Sequence, residues 1–127
     1  MVPEFIGAYK TKLPEIDRNE TSTKYLTTQY ANSKYSVELA ESFGYKARNG
    51  EVNGFVFVKH HIEPHTDNGG RCLVHLAKGE GSLHVLHKGV IVTTNIEKGD
   101  VWLFNDRQTH FWLSEKPCTL LVVNVKR

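Results

Sequence analysis

From Glu51 to the end of the chain no helical stretch can be found. β-Branched and aromatic runs alternate instead with Gly and Asp turn signals about every ten residues. The runs predict strands near 54–62, 71–78, 82–86, 89–94, 100–105, 109–113 and 118–125, with "GEG" at 79–81 and "KGD" at 98–100 as turns. So many short strands joined by tight turns must pair with their neighbours, which makes this half an antiparallel barrel or sandwich.

The first half differs. It is more polar and rich in threonine, and one helical pattern stands out over Ser36–Phe43, with Val37, Ala40 and Phe43 on one face, Ser36 as cap and Gly44 as stop. "FIGAY" and "KYLTTQY" read as strands. The expected class is therefore mainly β, with a short N-terminal α/β segment over about 1–50 supporting a β core over about 51–127. At 127 residues, 1–127 reads as one domain, large enough to bury a core without a metal or disulfide staple. A metal in such a chain serves chemistry.

Charge excludes some partners. The formal balance of +2 divides as +1 in residues 1–50 (seven basic, six acidic) and +1 in residues 51–127 (nine basic, eight acidic), so no basic block marks a nucleic-acid face. No apolar run reaches the 18 or so residues of a membrane span. Cys72 and Cys118 stand far apart, with no Cys-x-x-Cys pair and no secretory signal, and read as free thiols of a reducing, cytoplasmic compartment.

Chemistry concentrates in "EPHTDNGGR", Glu63 to Arg71. On a strand His65 and Asp67 point to the same side, roughly 6.5–7 Å apart, and can converge on one ion. Seven His and four Asp in 127 residues yield roughly 0.2 accidental His-x-Asp pairs, so a third ligand is needed to give the tripeptide weight. In "GDVWLFNDRQTHFWL", His110 opens a strand after a polar turn and projects from a strand end. Two His and one carboxylate with open positions suit non-haem Fe(II).

The succession "HTDNGGRCLVHLAKGEGSLHV", "GDVWLFNDRQTHFWL", "KPCTLLVVNVKR" resembles the 2-oxoglutarate and Fe(II)-dependent oxygenases, prolyl-4-hydroxylase-like members in particular, over about residues 54–127. The resemblance implies a double-stranded β-helix, or jelly roll, with His65, Asp67 and His110 on Fe(II). It also implies 2-oxoglutarate as cosubstrate chelating the iron, dioxygen as oxidant, and hydroxylation or demethylation of a substrate whose class (protein, nucleic acid or small molecule) the sequence does not name.

The chain departs from that family at the cation that pairs with the 5-carboxylate of 2-oxoglutarate. On the strand after His110, where the family carries Arg or Lys, this chain reads "CTLLVV". Two substitutes are available. In "CLVHLAK" the side chains of Cys72, Val74, Leu76 and Lys78 share a face, and three apolar members carry Lys78 into the barrel. Arg127 lies seventeen residues beyond His110, a spacing that resembles nucleic-acid demethylase-like members. Arg71 beside the metal loop and Trp112, on the same face as His110, complete the cosubstrate-site candidates.

The remaining histidines have plainer roles. At least one of His60 and His61 faces solvent, His75 lies on the surface face opposite Lys78, and His84 and His87 are solvated residues at a turn. "NDR" before His110 is a hydrogen-bonded turn. Two other functions remain open: a cupin-type metal enzyme, whose usual extra glutamate only Glu80 could supply, and a jelly-roll binding module that lacks 2-oxoglutarate.

Overall fold

The computed structural model describes residues 1–11, 34–48 and 53–126. The expected strand "KYLTTQY" and Arg127 lie outside these residues. Among the described residues the chain forms β1 (Glu4–Ala8), α1 (Lys34–Ser42), β2 (Lys46–Ala47), β3 (Gly54–Val58), β4 (His61–His65), β5 (Cys72–Lys78), β6 (Gly81–His87), β7 (Val90–Ile96), β8 (Asp100–Phe104), β9 (His110–Leu113) and β10 (Cys118–Lys126).

All pairings are antiparallel. One sheet runs β1-β8-β5-β10, with β3 and β2 in succession along the far side of β10, and the other runs β4-β9-β6-β7. The architecture is mainly β, a jelly roll with a short N-terminal α/β segment, as expected. The expected strand over 54–62 is two strands in different sheets, broken at the exposed pair Lys59-His60. That break carries the chain from one sheet to the other.

Strand parity divides the core into two layers. Val56, Val58, Cys72, Val74, Leu76, Leu83, Val85, Trp112 and Leu120 pack between the sheets. Phe55, Leu73, Val101, Leu103, Leu121 and Val123 face the other way and are covered by Leu39 and Ala40 of α1. A strand buried on both faces cannot show polar alternation. For this reason His75, expected on the surface, is 1% exposed: its face of β5 lies beneath the N-terminal segment, where the Tyr9 ring meets it edge-on at 5.4 Å.

The helix starts two residues earlier than expected, so Ser36 is buried within it and does not cap it. Gly44 ends it at φ +79, where the Tyr45 amide donates back to the Ala40 carbonyl at 3.0 Å.

Candidate metal centre

β4 and β9 pair His65 directly with His110, bringing both to one end of the smaller sheet with ring centroids 4.3 Å apart. Asp67 lies just past β4. Its carboxylate Oδ2 stands 3.4 Å from His65 Nε2 and 3.4 Å from His110 Nε2. Among the described residues these three form the one group of potential ligands, with donor atoms within 4.8 Å of one another. At bond lengths of about 2.0–2.2 Å, neighbouring ligands of one ion stand roughly 3–3.5 Å apart, and the residues fit.

The far side of each imidazole fixes its tautomer. His65 Nδ1 lies 2.7 Å from the Glu63 carbonyl and His110 Nδ1 lies 2.8 Å from the Gln108 carbonyl. A carbonyl only accepts, so each Nδ1 carries the proton and donates it, and in the neutral ring each Nε2 turns a lone pair inward. Two such lone pairs and a carboxylate oxygen then face one another, which is stable only with a cation or a proton between them. Metal-bound histidines are ordinarily held by this same outer hydrogen bond.

A proton on Nε2 is the alternative to a cation there. The Asp67 hydrogen bond, opposed by burial and aided by the Glu63 carbonyl, raises the His65 pKa above its ordinary value. For Asp67 burial works against ionisation, yet the hydrogen bonds from His110 and His65 outweigh it and hold the carboxyl below the usual carboxylate range.

The loop after Asp67 is clamped to the turn before His110. The Asp67 amide donates to the Asp106 carbonyl at 2.8 Å, the Gly70 amide to Asp106 Oδ1 at 2.6 Å, and Arg107 Nε to the Asn68 carbonyl at 3.2 Å. Asp106 Oδ2 accepts from Asn124 Nδ2 at 2.7 Å, and Arg48 Nη1 donates to the Gly69 carbonyl at 2.7 Å. This accounts for the double glycine. A Cβ at position 69 would overlap Asn124 Nδ2, and Gly70 sits at φ +91.

Behind the triad lies a chamber of about 60 Å³. Phe104, Val74, Leu83, Leu120 and Trp112 are among its walls. Phe104 meets the His110 ring edge-on at 5.0 Å. Trp112 is 2% exposed and serves both expected roles, as core residue and as chamber wall, with its indole N–H donated to Cys118 Sγ at 3.2 Å.

Other sequence candidates are not brought to this chamber. Lys78 does not follow Cys72, Val74 and Leu76 inward: it ends β5 exposed, beside a register irregularity in the β5–β10 pairing at Thr119, and does not line the chamber. Arg71 is half-buried and also off the lining, with its carbonyl accepting from Asn124 Nδ2 and the Val125 amide. His60 and His61 are both exposed, and Glu80 is exposed and outside the ligand group. His84, expected in solvent, is 9% exposed and stacks on Phe111 with centroids 4.5 Å apart, held between Ser82 and Thr93. His87 is half-buried at its turn, beside Gln108.

Sequence reasoning missed Asp106 and Asn124. "NDR" is the hydrogen-bonded turn expected of it, but nothing local shows that Asp106 is 1% exposed and holds the loop of the opposite ligand pair.

No family model matches the chain, that of the 2-oxoglutarate oxygenases included, and no curated protein matches it. Solved structures do. Protein NMB1881 from Neisseria meningitidis is 17% identical over 66% of this chain and 85% of that one, TM-score 0.48. A cupin-2 domain containing protein from Shewanella frigidimarina is 11% identical over 66% and 81%, TM-score 0.45. Hydroxypropylphosphonic acid epoxidase from S. wedmorenis is 13% identical over 94% of this chain, which spans 63% of the epoxidase, TM-score 0.45. At such identities and scores none of them assigns a chemistry to the site.

Proposed function

We propose that the protein is a mononuclear metalloenzyme of the non-haem Fe(II) oxygenase type, with His65, Asp67 and His110 as the metal ligands and the chamber behind them as the substrate site. The observation that carries this reading is the convergence of His65 Nε2, His110 Nε2 and Asp67 Oδ2, with both Nδ1 atoms against backbone carbonyls. Bound Fe(II) would supply open positions for substrate and dioxygen. The chain's own part is orientation and shielding. The Glu63 and Gln108 carbonyls hold the rings, Asp106 holds the loop that carries Asp67, and Phe104 and Trp112 keep water from the inner side.

Two forms of this chemistry are distinguishable: one with 2-oxoglutarate as cosubstrate, and a cupin-type one without it. The lining favours the second. None of the thirteen described residues around the chamber is Lys or Arg, and a dicarboxylate buried without a cation is costly.

Anaerobic Fe(II) titration tests the reading. A single ion should bind wild type, and His110→Ala and Asp67→Asn should lose it while the far-UV circular dichroism is unchanged. Wild type that binds no Fe(II) refutes the metalloenzyme and leaves a binding module. A metal-to-ligand charge-transfer band on adding 2-oxoglutarate would restore the cosubstrate form.

A further inference from the structure

We infer that the chamber takes a small, uncharged molecule with an apolar body and a chelating oxygen head, and that Leu120 and Val56 limit its length. The inference rests on the metal reading above for the head group alone. The body is argued from the wall.

Exposure separates a mouth from a buried interior along that wall. Ile62, His65, Phe111 and Val122 are partly exposed and mark the mouth. Val74, Leu83 and Trp112 are at most 3% exposed and form the next tier, where β5 pairs Val74 with Val122 and β6 pairs Leu83 with Trp112. Two residues further along β10, away from Cys72, Leu120 pairs with Val56 and with Leu76, all at most 4% exposed, and this register sets Leu120 and Val56 at the end of the wall away from the triad.

Among the described residues the wall offers no counter-charge beyond the metal ligands. The indole N–H of Trp112 is turned to Cys118 Sγ. The Cys72 thiol donates weakly to the Leu73 carbonyl at 3.6 Å, and burial pushes its pKa up, so it stays neutral. A carboxylate, phosphate or ammonium on the far end of a ligand would lie unpaired among Val, Leu and aromatic side chains. A methyl or ring in the same place is simply removed from water.

Alkyl hydroxamates test the class, because one chelating head can carry tails of different length and charge. In full-length protein loaded with Co(II), the visible absorption of the ion reports binding. From acetohydroxamate upward the dissociation constant should fall about three- to fourfold per methylene, the change that corresponds to about 0.8 kcal/mol, until the tail meets Leu120. A tail ending in carboxylate should bind at least tenfold more weakly than its methyl-ended counterpart. Leu120→Ala should move the plateau to longer tails and Leu120→Phe to shorter ones, both with unchanged Co(II) affinity. Equal affinity for the carboxylate-ended tail, or no dependence on length, overturns the inference.

If Co(II) does not bind, the metal reading fails and the wall is read in the metal-free chain. There, saturation-transfer NMR should detect 1-hexanol and not hexanoate, and Leu120→Phe should weaken the hexanol signal. Hexanoate bound as well as hexanol, or a hexanol signal indifferent to Leu120→Phe, refutes it.

Discussion

The carboxylate of Asp106 holds the Gly70 amide at 2.6 Å, joining the turn before His110 to the loop that follows Asp67. Two of the proposed metal ligands, Asp67 just past β4 and His110 opening β9, thus share one support. Asp106→Asn keeps the shape but leaves one acceptor oxygen for two donors, the Gly70 amide and Asn124 Nδ2. The expected cost is about 1–3 kcal/mol of stability and a roughly 10–100-fold loss of metal affinity, with all three ligands still in place. Competitive Co(II) titration and thermal unfolding measure both. Unchanged Co(II) affinity would show that the triad is positioned without Asp106.

Gly69→Ala should fail for a different reason. The new methyl would overlap Asn124 Nδ2, which already bonds Asp106 Oδ2 and the Arg71 carbonyl. Overpacking of this kind costs about 1–3 kcal/mol. In a double-mutant cycle with Asn124→Ala the two losses should not add, because the second change removes the atom that the first one strikes. Additive denaturation midpoints would place the strain elsewhere.

How far the sequence could be read depends on which neighbours are local. The strand over 72–78 is legible because Gly-Gly precedes it and Gly79, at φ +95, follows it. The triad is legible because a His-x-Asp at one strand end and a His opening another are patterns of nearby residues. The placements of His75 and Lys78 were not. Alternation puts His75 on the face opposite Val74 and Leu76 correctly, but a face is solvent or core according to what covers it, and both α1 and Tyr9 arrive from the first half of the chain, whereas Lys78 ends the strand exposed beside the register shift at Thr119. Likewise "VKHHI" reads as one extended run, and only pairing partners in different sheets divide it.

Cys72 and Cys118 are free and buried, 3% and 1% exposed. A thiol reagent needs the thiolate, and burial pushes the Cys72 thiol away from it. Both should react at once in denaturant without prior reduction, and in the folded protein only as fast as the β5 and β10 strands open. Fewer than two reactive thiols in denaturant would contradict the free-cysteine assignment. Rapid labelling of the native protein would contradict the packing.

The buried His75 should make stability depend on pH. Its Nδ1 is 3.2 Å from the Asp100 carbonyl and donates to it, whereas Nε2 is buried without a partner, so a second proton there has nothing to bond. Burial accordingly lowers the pKa, against the backbone hydrogen bonds to Asp100 and Gly99. In the unfolded chain the ring takes a proton near its ordinary pKa of about 6.5. Between the lowered folded value and about 6.5 the unfolded state therefore binds more protons, and stability rises with pH through that window. The contribution is fully present above about 6.5 and is lost as pH falls toward the folded value. His65 has the opposite sign, since its raised pKa favours the folded state at low pH. The comparison that isolates His75 is wild type against His75→Leu, with urea midpoints followed from about pH 7.5 down to about 5.5. Wild type should lose stability relative to the variant across that range. Midpoints that move in parallel would mean that His75 takes its proton as readily folded as unfolded.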